Sequence, residues 1–144
     1  MRVLIDTNVF ISYLLTSHGS GAIQAIFDAW SQAAFTLLLP EALLDEILVT
    51  VTGRPHLSKR IPPNILEEFL ATIKTFGETV PQITDPIPAV TRDPEDDYLL
   101  AYALVGAADY LVTGDNDLLT LNGTIPELRI LSPRQFREVL QLPP

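Results

Sequence analysis

In Val3-Leu4-Ile5-Asp6-Thr7-Asn8 a three-residue apolar run, two of the three β-branched, ends abruptly in polar residues. Such a run suits a strand buried on both faces, as in a parallel sheet. Similar segments recur at Thr36–Leu39, Thr79–Ile83, Tyr110–Val112 and Arg129–Leu131. The stretches between them carry helical periodicity. Residues 9–15 predict a short helix, broken by His18-Gly19-Ser20-Gly21. Ile23, Ile26, Phe27, Trp30 and Ala34 mark one face of the next. Pro40 reads as the first residue of a third helix, striped by Leu44, Ile47, Leu48 and Val51. Residues 53–63 read as a loop, and Leu66, Phe69, Leu70, Ile73 and Phe76 as a helix beyond it. Thr84 to Val90, with Pro86 and Pro88, reads as irregular.

Asp93-Pro94-Glu95-Asp96 is a helix start: an N-cap, proline at the first position, then acids in the first turn. The expected apolar stripe is Leu99, Leu100, Ala103, Leu104 and Ala107. Ser132-Pro133 caps a last helix holding Phe136, Val139 and Leu140. Short apolar strands alternating with amphipathic helices define an α/β fold with a mostly parallel sheet. Its 144 residues read as one domain, 1–144.

Composition narrows the chemistry. The chain has no cysteine, so thiolate metal sites, iron–sulfur clusters and cysteine nucleophiles are excluded. His18 and His56 lack the spacing of a zinc site. Eighteen acids against nine Lys and Arg give a net charge of −9, which makes nucleic-acid binding through the overall field unfavourable. Asp6 and Asn8 interrupt the one stretch that could pass for a signal peptide, and no run reaches a membrane span; a soluble, cytoplasmic protein is expected.

Ligands of parallel sheets bind beyond the carboxyl ends of the strands. Asp6 follows the first strand and Asp115 follows the strand Tyr110–Val112. If those strands are neighbours, the two carboxylates lie within a few ångströms. No Lys or Arg occurs between Asp93 and Glu127, a stretch holding Asp93, Glu95, Asp96, Asp97, Asp109, Asp115 and Asp117. Carboxylates without cations at the functional edge of a sheet are what hard divalent metals require. Singly, each acid is as readily a helix-dipole or turn residue. Helical phase makes Asp96 more inward than Asp97. Glu46 sits beside Ile47 on the helix after the second strand, and spacing alone does not separate it from Glu41 or Asp45.

Other sites are missing. Gly19-Ser20-Gly21 is not a phosphate loop, and no G-x-S-x-G elbow occurs. The Asp-x-Asp of a haloacid-dehalogenase phosphatase is absent, and no lysine follows Lys74 to serve a response-regulator site.

Four motifs occur in order along nearly the whole chain: Leu4-Ile5-Asp6-Thr7-Asn8-Val9, Leu43-Leu44-Asp45-Glu46-Ile47, Arg92 to Ala101, and Ala108 to Leu119. Together they resemble PIN-domain nucleases, most closely the toxins of toxin–antitoxin systems related to VapC. The resemblance implies a three-layer domain with a five-stranded parallel sheet flanked by helices. It implies a ribonuclease dependent on Mg²⁺ or Mn²⁺, usually a homodimer, often inhibited by a cognate antitoxin. It assigns Asp6, Glu46, Asp97 and Asp115 as catalytic and metal-binding, with Asp117 as a fifth ligand and Asn8, Asp96 and Thr113 in support. It prefers Asp97 to Asp96 because the distance from Asp97 to Thr113 matches the family spacing, and that preference is adopted here.

In such a site carboxylates hold the ions and no histidine base is needed. RNA must then lean on cations elsewhere. Arg54, Lys59 and Arg60, in the loop after the helix that carries Glu46, are the candidates. The alternatives are a Mg²⁺-dependent phosphotransfer or phosphatase domain and a catalytically idle PIN-fold binding module.

Overall fold

The computed structural model describes residues 1–16 and 21–141, so the expected break at His18–Ser20 lies outside the described residues. Five strands form one all-parallel sheet: β1 (Arg2–Ile5), β2 (Thr36–Pro40), β3 (Glu78–Val80), β4 (Tyr110–Val112) and β5 (Arg129–Leu131). Their spatial order is β3-β2-β1-β4-β5. The chain builds outward from β1 to β3, then returns to the other side of β1. The switch point therefore lies between β1 and β4, where parallel sheets open a crevice.

The helices are α1 (Thr7–Leu15), α2 (Ala22–Ser31), α3 (Glu41–Gly53), α4 (Pro55–Ser58), α5 (Pro63–Phe76), α6 (Pro94–Val105), α7 (Asn116–Leu119) and α8 (Pro133–Gln141). Register partners on neighbouring strands share a face of the sheet. Leu4, Leu38 and Leu111 are such a row, and Leu38 meets Gly106 at the end of α6. The opposite row holds Val3, Leu37 and Tyr110. Tyr110 stacks on Phe136 of α8, with ring centroids 5.3 Å apart. On the α1, α2 and α5 side, Phe10, Tyr13, Phe27 and Phe69 form one aromatic cluster. Both faces are thus covered, which is why the strands read as unbroken apolar runs.

Several boundaries differ from expectation. Pro40 ends β2 and α3 begins at Glu41. The expected loop 53–63 contains the single turn α4, with Pro55 at its start. β3 spans Glu78–Val80, earlier and shorter than Thr79–Ile83. On α6, Leu99, Leu100 and Ala103 are buried, but Leu104 and Ala107 are exposed. The helix stops at Gly106, where a Cβ would stand 3.1 Å from Leu38 Cδ1, and Ala107 takes a left-handed φ of 52°. Close packing of a glycine against the sheet ends the helix before its stripe does. At α8, Gln135 N donates to Ser132 Oγ while Ser132 N donates to Gln135 Oε1, a reciprocal capping box. No described helix is long and apolar enough to cross a membrane.

Candidate metal centre

The β1–β4 pairing brings residues 107 apart in sequence into contact. Ile5 lies opposite Val112, and Asp6 N extends the ladder to Val112 O at 2.9 Å. Asp6 is therefore opposite Thr113. The buried Thr113 hydroxyl donates to Asp6 Oδ2 at 2.7 Å and accepts from Asp115 N at 3.0 Å. One hydroxyl ties the ends of two strands together. Asp115 caps α7 by accepting from Asp117 N at 2.9 Å.

Asp6, Glu46, Asp93, Glu95, Asp96 and Asp115 line one cleft beyond the carboxyl ends of β1, β2 and β4, with Asn8 beside them. Among the described residues, no Lys, Arg or His contributes to its wall. Its volume of about 120 Å³ suits an ion with a few waters, at roughly 30 Å³ per water. Carboxylate oxygens of Asp96, Asp115 and Asp117 lie within 4.8 Å of one another. Tyr98 and Tyr102 close one side; the Tyr98 hydroxyl donates to that of Tyr102 at 3.1 Å, which accepts from Ile83 N at 3.0 Å.

Electrostatics follow from that company. Burial raises the Asp6 carboxyl and the Asp115 charge adds to the rise, against the Thr113 hydroxyl and the Asn8 and Thr7 amides, which favour the carboxylate. Burial also raises Glu46, with Glu95, Asp6 and Asp93 adding repulsion. Asp96 is pushed up to about 7 by burial first, then by the close approach of the Asp115 carboxylate, with the Asp93 and Asp6 charges adding to it. The buried Thr7 hydroxyl, 3% exposed, lies against Glu46 and favours its carboxylate, opposing the rise at Glu46. A lining of oxygen donors with no compensating Lys or Arg among the described residues fits a hard divalent ion.

The structure does not bring Asp97 into this cleft. Asp97 is as buried as Asp96, each 7% exposed, but its Oδ1 accepts from Val90 N at 2.8 Å and Thr91 N at 2.6 Å. Burial opposes its charge, yet those amides outweigh burial and hold its carboxyl below the usual range. The family spacing that preferred Asp97 thus meets a carboxylate already committed to the backbone, whereas helical phase picked the residue that faces the cleft. Glu46 lines the cleft and its rivals Glu41 and Asp45 are exposed. Asp117 is exposed at the rim and paired with Arg92 at 3.4 Å. Asp109 lies at the other edge of the sheet, accepting from Arg2 N at 2.8 Å. Arg54, Lys59 and Arg60 are exposed and do not line the cleft. The end of α3 at Gly53 lies about 10 Å of helix past Glu46.

Sequence reasoning counted Asp93 and Glu95 in the cation-free acidic stretch but assigned neither to the site, reading them as a cap and a first-turn acid. Asp93 does cap α6, accepting from Glu95 N at 2.9 Å. Thr7 and Arg92 were also missed. Arg92 stood just outside the cation-free stretch, and only the fold shows that it reaches Asp117.

A parallel α/β sheet with a carboxylate cleft at its switch point offers a site of the kind divalent ions take. A family model described as PIN domain matches residues 2–117, and the chain belongs to that family. PIN domains are generally metal-dependent nucleases. No curated protein and no solved structure matches the chain.

Proposed function

We propose that the chain is a metal-dependent endoribonuclease, the toxin of a toxin–antitoxin pair, with residues 1–144 acting as one unit. The observation that carries the hydrolytic reading is the convergence of Asp6, Glu46, Asp96 and Asp115 on one cleft with no cation in its wall. These four are the residues proposed to hold Mg²⁺ or Mn²⁺, with Asp117 at the rim. When bound, such an ion supplies Lewis-acid activation of water and offsets charge on the phosphate oxygens. The chain's own part is geometric. Thr113 fixes Asp6 and Asp115 relative to each other, Asp93 fixes the start of α6, and Tyr98 with Tyr102 walls the cleft. The RNA substrate, inhibition by an antitoxin and a homodimeric state rest on the family resemblance.

The test is cleavage of single-stranded RNA by the full chain with millimolar Mn²⁺ and with chelator. Metal-dependent internal cleavage supports the reading. No cleavage with Mn²⁺ sinks it, and transfer of labelled phosphate onto Asp6 would instead make the chain a phosphotransfer domain. Light scattering at tens of micromolar tests the dimer, where a monomer mass counts against it.

A further inference from the structure

Six carboxylates line the cleft and Asp117 flanks it, so an approaching phosphodiester enters a negative field. Among the described residues, one Lys or Arg is ion-paired with this group: Arg92, whose Nη2 stands 3.4 Å from Asp117 Oδ1. That side chain is 90% exposed, so its pairing is loose and contributes little to stability. Its backbone is held far more firmly. Val90 N and Thr91 N both donate to the same oxygen of Asp97, at 2.8 and 2.6 Å. The Thr91 hydroxyl donates to Asp93 O at 2.8 Å and accepts from Asp93 N at 3.2 Å, bracketing Arg92. Asp97 is itself fixed on the first turn of α6. An exposed guanidinium on an anchored backbone is a pre-organised fork for phosphate oxygens.

We infer that Arg92 is a substrate-positioning residue that binds a phosphate of the RNA strand at the mouth of the cleft, and that Asp97 is the buried anchor presenting it. The inference rests on the ribonuclease reading. It gives Asp97 a role that needs its accepting oxygen rather than a metal ion. It also separates Arg92 from Arg54, Lys59 and Arg60, none of which touches the acidic group.

The experiment measures RNA cleavage by the full chain in Mn²⁺, and RNA binding by fluorescence anisotropy across salt concentrations. R92A should raise KM about tenfold, the size of one charge-assisted contact, with kcat within about threefold. Its slope of log affinity against log salt should flatten by about one. R92K should recover part of the loss, returning the charge without the fork. D97A should raise KM as R92A does, and the double variant should be no worse than either single one, because both remove the same contact. D97N keeps the accepting oxygen and should restore KM.

An unchanged KM and salt slope in R92A overturns the role of Arg92. A collapse of kcat in D97N overturns the anchor and returns Asp97 to the metal site. Should D97A not fold, R92A and D97N still decide. If the wild type binds RNA without cleaving it, the ribonuclease reading fails while the salt slopes still judge Arg92; if it does not bind RNA, both fail.

Discussion

The two edges of the sheet place carboxylates in opposite company. At the amino edge, the Arg2 guanidinium bonds to both oxygens of Glu78 and to Gly106 O, while Arg2 N takes Asp109. Glu78 and Asp109 both have partners there, and the arrangement pins β1 to β3 and to the end of α6. A larger hollow of about 640 Å³ lies beside it, walled by Trp30, Phe35 and Phe76, but its only acid is that same Glu78. At the carboxyl edge, six acids share a smaller cleft with no cation in the wall. A carboxylate with a cation holds a fold together, whereas carboxylates left with one another await a cation from solution. The size of a cavity is a poor guide to where chemistry sits.

The sharpest way to break this comparison is to remove one charge at each edge. Asp96→Asn should lower metal-dependent cleavage by more than the roughly hundredfold typical of outer-shell partners of a metal, while Glu78→Gln leaves the rate unchanged. Equal effects in the RNA assay would erase the distinction. Next in size is metal-linked stability. An ion that binds only the native cleft should stabilise the wild type by about 2.7 kcal/mol at a hundred times Kd. Thermal melts with chelator and with Mn²⁺ should show this shift in the wild type and in Glu78→Gln, and much less of it in Asp115→Asn.

The pH response is smaller and has a definite sign. In ion-free protein Asp96 is held up to about 7, whereas in the unfolded chain it titrates near about 4. Its contribution to stability is therefore complete below the unfolded value and lost as pH rises through about 7. Asp97, held low, has the opposite sign: its contribution is present above the ordinary carboxylate range and lost as pH falls beneath it. Melts from pH 4 to 8 in chelator should show the alkaline loss, and Asp96→Asn should flatten it. The least effect belongs to the amino edge. Glu78→Gln removes an exposed pair, so the melting temperature should move little, and that little should vanish in high salt. A large shift would make that edge more than a surface clasp.

Strand ends carried most of what the sequence could tell. Asp6 and Asp115 were legible because an apolar run that stops at a polar residue is a local signal, and the parallel fold then makes neighbours of the two ends. Glu46 was legible only as one of three acids, since burial decides among them and burial is tertiary. For the adjacent Asp96 and Asp97, both 7% exposed, helical phase pointed to Asp96 and the family spacing to Asp97, and the two signals conflicted. What separates them is the proline-rich segment before α6, whose Val90 and Thr91 amides claim Asp97, and that segment has no periodicity to read. The single-turn helices α4 and α7 were missed for the same reason: four residues are too few to show a repeat.

The Thr113–Asp6 contact spans 107 residues, and that separation has a consequence in time. During synthesis Asp6 leaves the ribosome about a hundred residues before its neighbour strand β4 is made. A nascent chain that ends before Asp115 can form β1 beside β2 but has only half a cleft. Pairing so distant in sequence is also slow to close in the finished chain. Products truncated before Asp115, and intermediates in which β1 and β4 are not yet paired, should therefore lack the complete carboxylate cleft.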